Sequence, residues 1–443
     1  MRQSQAEISR LLVDLKLTTV GVLLAACSAG VPEDPAHDPS AFTLRDSAGI
    51  RIAESSDSEW TSATQWQVDA QPYLEIGTRD GSRPGTDFGR VGPIVRFGDG
   101  RIAAADLQSL EIRVFSSSGH HTGVWARGGS GPGEIQRVDA LAVIRGDSLV
   151  IRNDGIFRHE VFGPTGSYGR TVRAPPSSWL RGGGRAAAWL EDGTFILGPA
   201  NVPLTVRDAG RVLLHGEWHL FDPTGAHVRL LARLPERWVE SVAGVNSPIP
   251  VLYGARAHVA GTPRGLWYGF PASFEIRRIG PGGVDRIVRR AWTPEEVSRT
   301  MRQGYTEWYQ AQVNRLDVDP VLLPEVVLMR RLEAQQRSAG LASQVSHVFA
   351  DTLPAFTGLV ASTDDHLWVR LPRALSELER TPERMSTNQW SVFDPDGRWL
   401  GTVGTPLQLD VRIIGPDYVL GVWKDDLDVE YVRLHKLIKP ASE

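Results

Sequence analysis

The chain has 443 residues, with 48 Lys and Arg against 52 Asp and Glu and a formal net charge of −4. Nothing in that balance points to a nucleic-acid partner. It carries one Cys, which excludes any internal disulfide.

In chain order the first feature is an apolar stretch beginning near Leu17 and ending Leu23-Leu24-Ala25-Ala26-Cys27. Arg2, Arg10 and Lys16 precede it, and a polar, Pro-broken segment from Ser28 to Ser40 follows. About ten apolar residues fall short of the roughly twenty needed to cross a bilayer. The order of basic, apolar and small residues is that of an export signal. The Leu-Ala-Ala-Cys ending resembles the lipobox of bacterial lipoproteins. The resemblance implies removal of residues 1–26, acylation of Cys27, and a membrane partner engaged through that lipid. It also implies an extracytoplasmic location, with the outer membrane favoured over the inner because Ser28, not Asp, follows the cysteine. The expected mature part, 417 residues with 45 basic and 50 acidic side chains, could hold two or three average domains or one large repeat architecture. Residues 27–65 are expected to be a polar linker and N-terminal extension, with an unplaced strand at Gly49–Glu54.

From residue 66 onward the chain repeats. A turn followed by apolar, strand-type residues occurs six times, at Asp99-Gly100, Asp147-Ser148, Asp192-Gly193, Arg264-Gly265, Asp365-His366 and Pro416-Asp417. Asp-Gly between apolar runs marks a tight hairpin, because the turn needs positive φ. In five units an apolar residue, three turn residues and a Gly follow: Phe115 to Gly119, Phe162 to Gly166, Phe221 to Gly225, Ile279 to Gly283 and Phe393 to Gly397. Each unit therefore reads as strands a, b, c and d, with a variable b–c loop. Four-stranded units at spacings of about 45–50 residues are the mark of a β-propeller. The last unit offers strands at Leu409–Ile414, Tyr418–Trp423 and Val429–Leu437, and lacks a fourth. The spare strand Trp66–Ile76 at the other end is expected to fill that place and close the ring.

Leu74-Glu75-Ile76-Gly77, Phe88-Gly89-Arg90-Val91, the Asp99 unit and Arg127-Gly128-Gly129-Ser130-Gly131-Pro132-Gly133-Glu134-Ile135 together resemble NHL-type propellers. The resemblance is clearest over 74–173. It implies an all-β, six-bladed β-propeller of four-stranded antiparallel blades over 66–437, with 438–443 as a tail. It implies a binding surface and no single reaction. The Gly-rich run 128–133 lacks the Gly-Lys-Ser/Thr ending of a phosphate loop and reads as a crossover between units.

Two segments break the repeat. Between the fourth and fifth units, about 293–349, a helical insertion is expected. Thr293-Pro294-Glu295-Glu296 forms a capping box, and Val297, Met301, Tyr305 and Trp308 make an apolar stripe. A second helix is expected over 324–338. The other break is the charged b–c loop 371–389, with Arg373, Glu377, Glu379, Arg380, Glu383 and Arg384. In an a-b-c-d meander both insertions fall on the face of the b–c loops, where binding is usually built. The bland alternative is that the helices only cap the channel or pad the fourth unit.

Asp106, Asn153 and Asp154 follow strand b at equivalent places in neighbouring units. The candidate ligand face is therefore Asp106, Asn153, Asp154, Trp308, Tyr309, Arg373 and Arg384. Six-bladed lactonases hold a pore metal with carboxylate and Asn ligands, so Asp106, Asn153 and Asp154 are weak candidates for a divalent metal. An Asp ending a strand also commonly just caps a turn. No cofactor or catalytic motif is evident. Two functions stand. One is a lipid-anchored binding or scaffolding module for a protein, peptide or glycan. The other is a metal-dependent hydrolase or lactonase centred on the pore.

Overall fold

The computed structural model describes residues 41–154, 156–173, 184–199, 210–241, 248–315, 348–373 and 387–440. Three strands come first: β1 (Phe42–Ser47), β2 (Ile50–Ser55) and β3 (Gln67–Ile76). The first repeat unit is β4 (Val91–Arg96), β5 (Ile102–Asp106), β6 (Glu111–Phe115) and β7 (His121–Arg127). The second is β8 (Val138–Ile144), β9 (Ser148–Asn153), β10 (Arg158–Phe162) and β11 (Tyr168–Arg173). The third is β12 (Gly184–Trp189), β13 (Phe195–Pro199), β14 (Gly210–Phe221), β15 (His227–Ser241) and the short β16 (Ile249–Pro250). The fourth is β17 (His258–Thr262), β18 (Gly265–Gly269), β19 (Glu275–Gly280) and β20 (Gly283–Arg290). After one helix, α1 (Arg299–Arg315), come β21 (Gly358–Ala361), β22 (Leu367–Arg370), β23 (Thr387–Phe393) and β24 (Trp399–Pro406). The last unit is β25 (Leu409–Ile414), β26 (Tyr418–Lys424) and β27 (Glu430–Ile438).

Within each unit successive strands pair antiparallel, and the described strands gather into six sheets. The first strands touch in a cycle: β4 with β8, β8 with β12, β12 with β17, β17 with β21, β21 with β25, and β25 with β4. The apolar core follows the same cycle. One cluster joins Val95 and Ile112 of the first sheet to Leu149 and Ile151 of the second. Another joins Trp368 and Val392 of the fifth to Leu409 and Val419 of the sixth. The ring closes through Ile94 and Phe115 against Leu420 and Val432. Strands buried on both faces explain the continuous apolar runs such as Ile102-Ala103-Ala104-Ala105, all wholly buried. All-β sheets packed face to face in a cycle make a propeller-type fold.

The repeated turns take one geometry. The Gly119 N–H donates to the Ser116 carbonyl at 2.9 Å, and that of Gly397 to the Asp394 carbonyl at 2.9 Å. Both glycines are left-handed, at φ +81° and +92°, the single positive φ that a turn ending in a bulge needs. Asp394 accepts from Asp396 N at 2.9 Å and Arg398 N at 2.8 Å, which accounts for its acidic spacing.

The N-terminal segment, unplaced from sequence, is a strap along the outside of three sheets. The hairpin of β1 and β2 extends the fourth sheet, with β2 parallel to β20. The chain then follows the edge of β24: Glu59 N donates to Trp399 O at 3.1 Å and Trp60 N to Leu400 O at 2.7 Å. Finally β3 pairs with β27 and supplies the fourth strand of the last sheet. A parallel pairing of β2 on β20 needs no tight turn, so no turn signal announced it.

The helical insertion is smaller than expected. Among the described residues one helix occurs, and it starts at Arg299 rather than at Thr293. Glu295 and Val297 are instead extended: Leu353 N donates to Glu295 O at 2.8 Å and Val297 N to Asp351 O at 2.9 Å. Bridging to 351–353 outcompetes the capping box, and Ser298 takes the cap, its Oγ accepting from Met301 N at 3.2 Å. The second expected helix, 324–338, lies outside the described residues, as do residues 1–40 with Cys27. No described helix is long and apolar enough to cross a membrane.

Candidate functional site

The strand order puts the ends of the second strands, the b–c loops and the starts of the first strands at one end of the ring. Asp106 ends β5 there, buried to 2% exposure. One oxygen accepts from Arg90 N at 3.3 Å, Gln108 N at 3.0 Å and Ser109 N at 3.4 Å; the other accepts from Gly89 N at 3.3 Å. The second oxygen also lies 3.1 Å from Arg113 Nη2. Burial opposes the charge, but these donors and Arg113 hold the carboxyl below its usual range. Asn153, at the equivalent register, accepts from Gln136 N at 3.0 Å and Arg137 N at 3.3 Å, and its amide donates to Glu134 O at 3.0 Å. Both side chains thus tie the incoming crossover to their sheet. Asp154 is held between Arg137 and Arg152, the latter at 3.1 Å. These oxygens face backbone donors and guanidinium groups, and no cluster of three metal-ligating side chains occurs among the described residues.

The Gly-rich crossover is likewise occupied by its own chain, with Gly131 N donating to Glu134 Oε2 at 2.7 Å. Tyr309, expected on the ligand face, is buried at 4% exposure. Met301 and Val297 pack with Leu353 beside Tyr253 and Phe349, while Tyr305 stacks edge-on to Phe349. The α1 stripe is therefore a packing face, and the three- to four-residue spacing that places Tyr309 one turn after Tyr305 turns it inward. Trp308 is half-buried, with its ring 5.6 Å from that of Tyr305.

Arg373 does open onto a cavity. A cleft of about 400 Å³ lies between the fifth and sixth sheets, lined by Thr357, Arg370, Leu371, Arg373, Asn388, Leu407, Gln408, Leu409 and Asp410. Every one of these sits at the b–c-loop end. Arg373 Nη1 donates to Thr387 O at 3.0 Å, which fixes the side chain along the wall. Asn388 Nδ2 donates to Leu407 O at 3.3 Å and ties β23 to the turn that leads into the sixth sheet. Asp410, the lining carboxylate, is 2.6 Å from Arg412. Arg370 is exposed and has no ion pair among the described residues. Arg384 lies outside the described residues, so the candidate face is brought together only around Arg373. A smaller cavity of about 230 Å³ lies near α1, among Arg211, Trp238, Trp292, Asp351 and Leu353.

Sequence reasoning passed over Asp139. It stands on β8, the innermost strand of the second sheet, at a bulge between Val138 and Ala140. Its Oδ2 is 3.0 Å from the buried Arg152 Nε. Although its side chain keeps 30% exposure, desolvation by the surrounding ring pushes the carboxyl up to about 6; Arg152 opposes this and the Asp154 charge adds to it. Behind Arg152, burial and that same cation push the His159 imidazole down to about 3, so it stays neutral. The bulge inserts one residue into the alternation, which is why no period-two pattern marked Asp139.

The described sheets and their cyclic packing define a protein of the β-propeller class. No family model matches the sequence, and no curated protein matches it. Among solved structures, the chain is similar to a putative exported protein from Bacteroides fragilis, at 12% identity over 88% of this chain and 100% of that one, with a TM-score of 0.44. It is also similar to a member of the DUF4221 family from Bacteroides vulgatus, at 9% identity over 85% and 100%, TM-score 0.49. A gluconolactonase from Xanthomonas campestris shares 12% identity over 85% and 99%, TM-score 0.38. Likenesses this distant assign no activity to the chain.

Proposed function

We propose that this chain is a six-bladed, NHL-like propeller, tethered to the outer membrane through a lipid on Cys27. It works as an extracytoplasmic binding module for a protein, peptide or glycan at its b–c-loop face. The observation that carries the reading is the cleft between the fifth and sixth sheets, roomy enough for a ligand and lined by polar groups with Arg370 unpaired among the described residues. A benzophenone amino acid in place of Gln408 tests it in the native host. Crosslinks to one saturable ligand are expected from this site and not from the same probe at Ser117 on the opposite face. Crosslinks from Ser117 alone would overturn the choice of face. Cys27→Ala should leave unprocessed precursor, and a Cys27→Ala protein that is still acylated would remove the anchor.

A pore-centred hydrolase is the second reading, and one observation favours it: Asp139, a carboxyl with its pKa near 6 on an innermost strand. The carboxylates that would hold its metal are engaged elsewhere. Metal analysis of the purified chain, before and after chelation, separates the two.

A further inference from the structure

A tryptophan in this ring ordinarily has a partner. Trp66 meets Trp60 and Trp368, Trp189 meets His159, Trp218 meets Tyr268 and Trp308 meets Tyr305. Trp125, Trp267, Trp399 and Trp423 each lie under an arginine, and Trp390 donates to Thr405 Oγ1 at 3.0 Å. Trp238 and Trp292 depart from that habit. Among the described residues neither ring has an aromatic or cationic neighbour, and neither indole N–H has an acceptor. Both are half-buried, and both line the same cavity of about 230 Å³ near α1. A half-buried indole with an idle N–H is the kind of amphipathic surface on which recognition sites are built.

That cavity lies on the b–c-loop face. Arg211 is near the start of β14 and Trp238 near the end of β15, while Pro271 follows β18, Trp292 follows β20, and residues 351–354 precede β21. Its polar groups are loosely held. Arg211 Nε is 3.5 Å from Glu240 and Nη1 is 3.8 Å from Asp351, both longer than a good hydrogen bond. The guanidinium donates to Phe349 O at 3.2 Å. Asp351 is 88% exposed, and Thr352 beside it is exposed too.

The cavity thus offers indole faces, a donor guanidinium and an acceptor carboxylate within one wall. A pyranose matches all three. Its C–H face is drawn to the negative face of an indole, and its hydroxyls both give and accept hydrogen bonds. A proline-rich strand also docks on aromatic rings, but proline has no N–H, and its carbonyls only accept, so the Asp351 carboxylate would gain no donor from it. Arg211 and Asp351 are the charged groups among the lining residues and balance one another, which favours an uncharged ligand. The volume falls below the roughly 300–1,000 Å³ of drug-sized sites and suits the end of a glycan rather than a length of chain.

Resting on the reading of this face as the binding face, we propose that the cavity beside α1 receives the end of a neutral glycan, with pyranose faces on Trp238 and Trp292 and hydroxyls on Arg211, Asp351 and Thr352.

The probe is an array of neutral oligosaccharides of glucose, mannose, galactose, xylose and N-acetylglucosamine, challenged with the full chain in a detergent that carries no sugar. At least one oligosaccharide should bind. Its affinity, measured by calorimetry, should fall about tenfold or more for Trp238→Ala and recover in part for Trp238→Phe, which restores a smaller ring. Arg211→Gln should cause a similar loss at an unchanged melting temperature. The bound sugar should also protect both indoles from oxidation by N-bromosuccinimide, read from peptide masses. Three results would overturn the proposal: no binding on the array, a Trp238→Ala protein that binds as tightly as the parent, or indoles that resist oxidation without ligand because the chain itself covers them. Tighter binding of decaproline than of any sugar would replace the glycan with a proline-rich peptide. Crosslinking from Gln408 reports on the other cleft of the same face, so the two readings fail separately.

Discussion

Asp106 and Asn153 occupy one position in two successive repeat units, and the partners of each dictate which is acid and which amide. At Asp106 the second oxygen meets Gly89 N–H and the Arg113 guanidinium; at Asn153 the second group meets the Glu134 carbonyl. Asp106→Asn thus turns an NH₂ toward two donors. A charge-assisted bond contributes about 1.5–3 kcal/mol and a buried donor left unpaired costs about 1–3 kcal/mol. Arg113 keeps Glu111 at 3.0 Å and Asp87 at 3.4 Å, which places the total near 3 kcal/mol, toward the lower end of the roughly 2.5–6 kcal/mol that the two contributions span together. An unfolding entropy of about 2.1 cal/mol/K per residue over roughly 400 residues converts this to a fall of about 3–4 °C. Asn153→Asp should cost a similar amount, because a carboxylate there faces a carbonyl in a wholly buried site. The two losses should add, since the sites share no partner. The Asp106 carboxyl has a folded pKa below its usual value. Its stabilisation is therefore present above about pH 4 and lost as pH falls through the folded value, and the Asp106→Asn penalty should shrink with it. Calorimetry at pH 7 and pH 3 measures both. Midpoints within a degree of the parent at pH 7, with loss of a bound divalent metal instead, would refute this account and restore these residues as ligands.

Asp139 behaves oppositely. Its folded pKa near 6 exceeds the unfolded value of 3.8, so the folded state gains from protonation below about pH 4 and loses that gain as pH rises through 6. Asp139→Asn should therefore flatten the pH profile of the urea midpoint between about 4 and 6 and sit above the parent at pH 8; a parallel profile would show that the carboxyl titrates normally. The strap is tested by Ala53→Glu. Ala53 is wholly buried on β2, and a Cβ on Gly397 would lie 2.7 Å from its own, so a carboxylate there should cost about 3 kcal/mol or more. An unchanged urea midpoint would mean that the strap does not bear on the ring.

Much of the fold was legible because blades repeat the same local chemistry. Asp-Gly and the four-residue turns set hairpins at fixed offsets, and runs such as Leu149-Val150-Ile151 can only be strands covered on both faces. The spare strand before residue 77 was legible by subtraction, since β27 needs an outer neighbour. The strap was not, because Phe42–Ser55 has the polarity of an edge: β1 is largely exposed, and only Ile52, Ala53 and Ser55 of β2 are fully buried. The α1 start was misread because its capping box is sound local chemistry defeated by a distant partner, the extended stretch 351–353.

The site was harder, for a reason that lies in repetition itself. A residue that recurs at equivalent positions is as apt to hold the blade as to serve a ligand, and Asp106 and Asn153 hold it. What distinguishes a ligand group is the partner it lacks, and sequence spacing carries no record of that. Arg373 drew notice because it falls in a long loop. Arg370 did not, because Leu367-Trp368-Val369-Arg370 reads as an ordinary second strand; only the packing of the sixth sheet beside it turns its end into the wall of a cleft. Asp139 was hidden by a bulge, and Tyr309 was misjudged because helical spacing fixes which residues share a face and not which way that face points. Two charged positions that sequence spacing left unmarked are thus Arg370 and Asp139. The first is exposed and without an ion pair among the described residues, which favours capture of a ligand. The second is already paired with Arg152, which favours a charge that tunes the ring. That difference ranks the cleft above the pore.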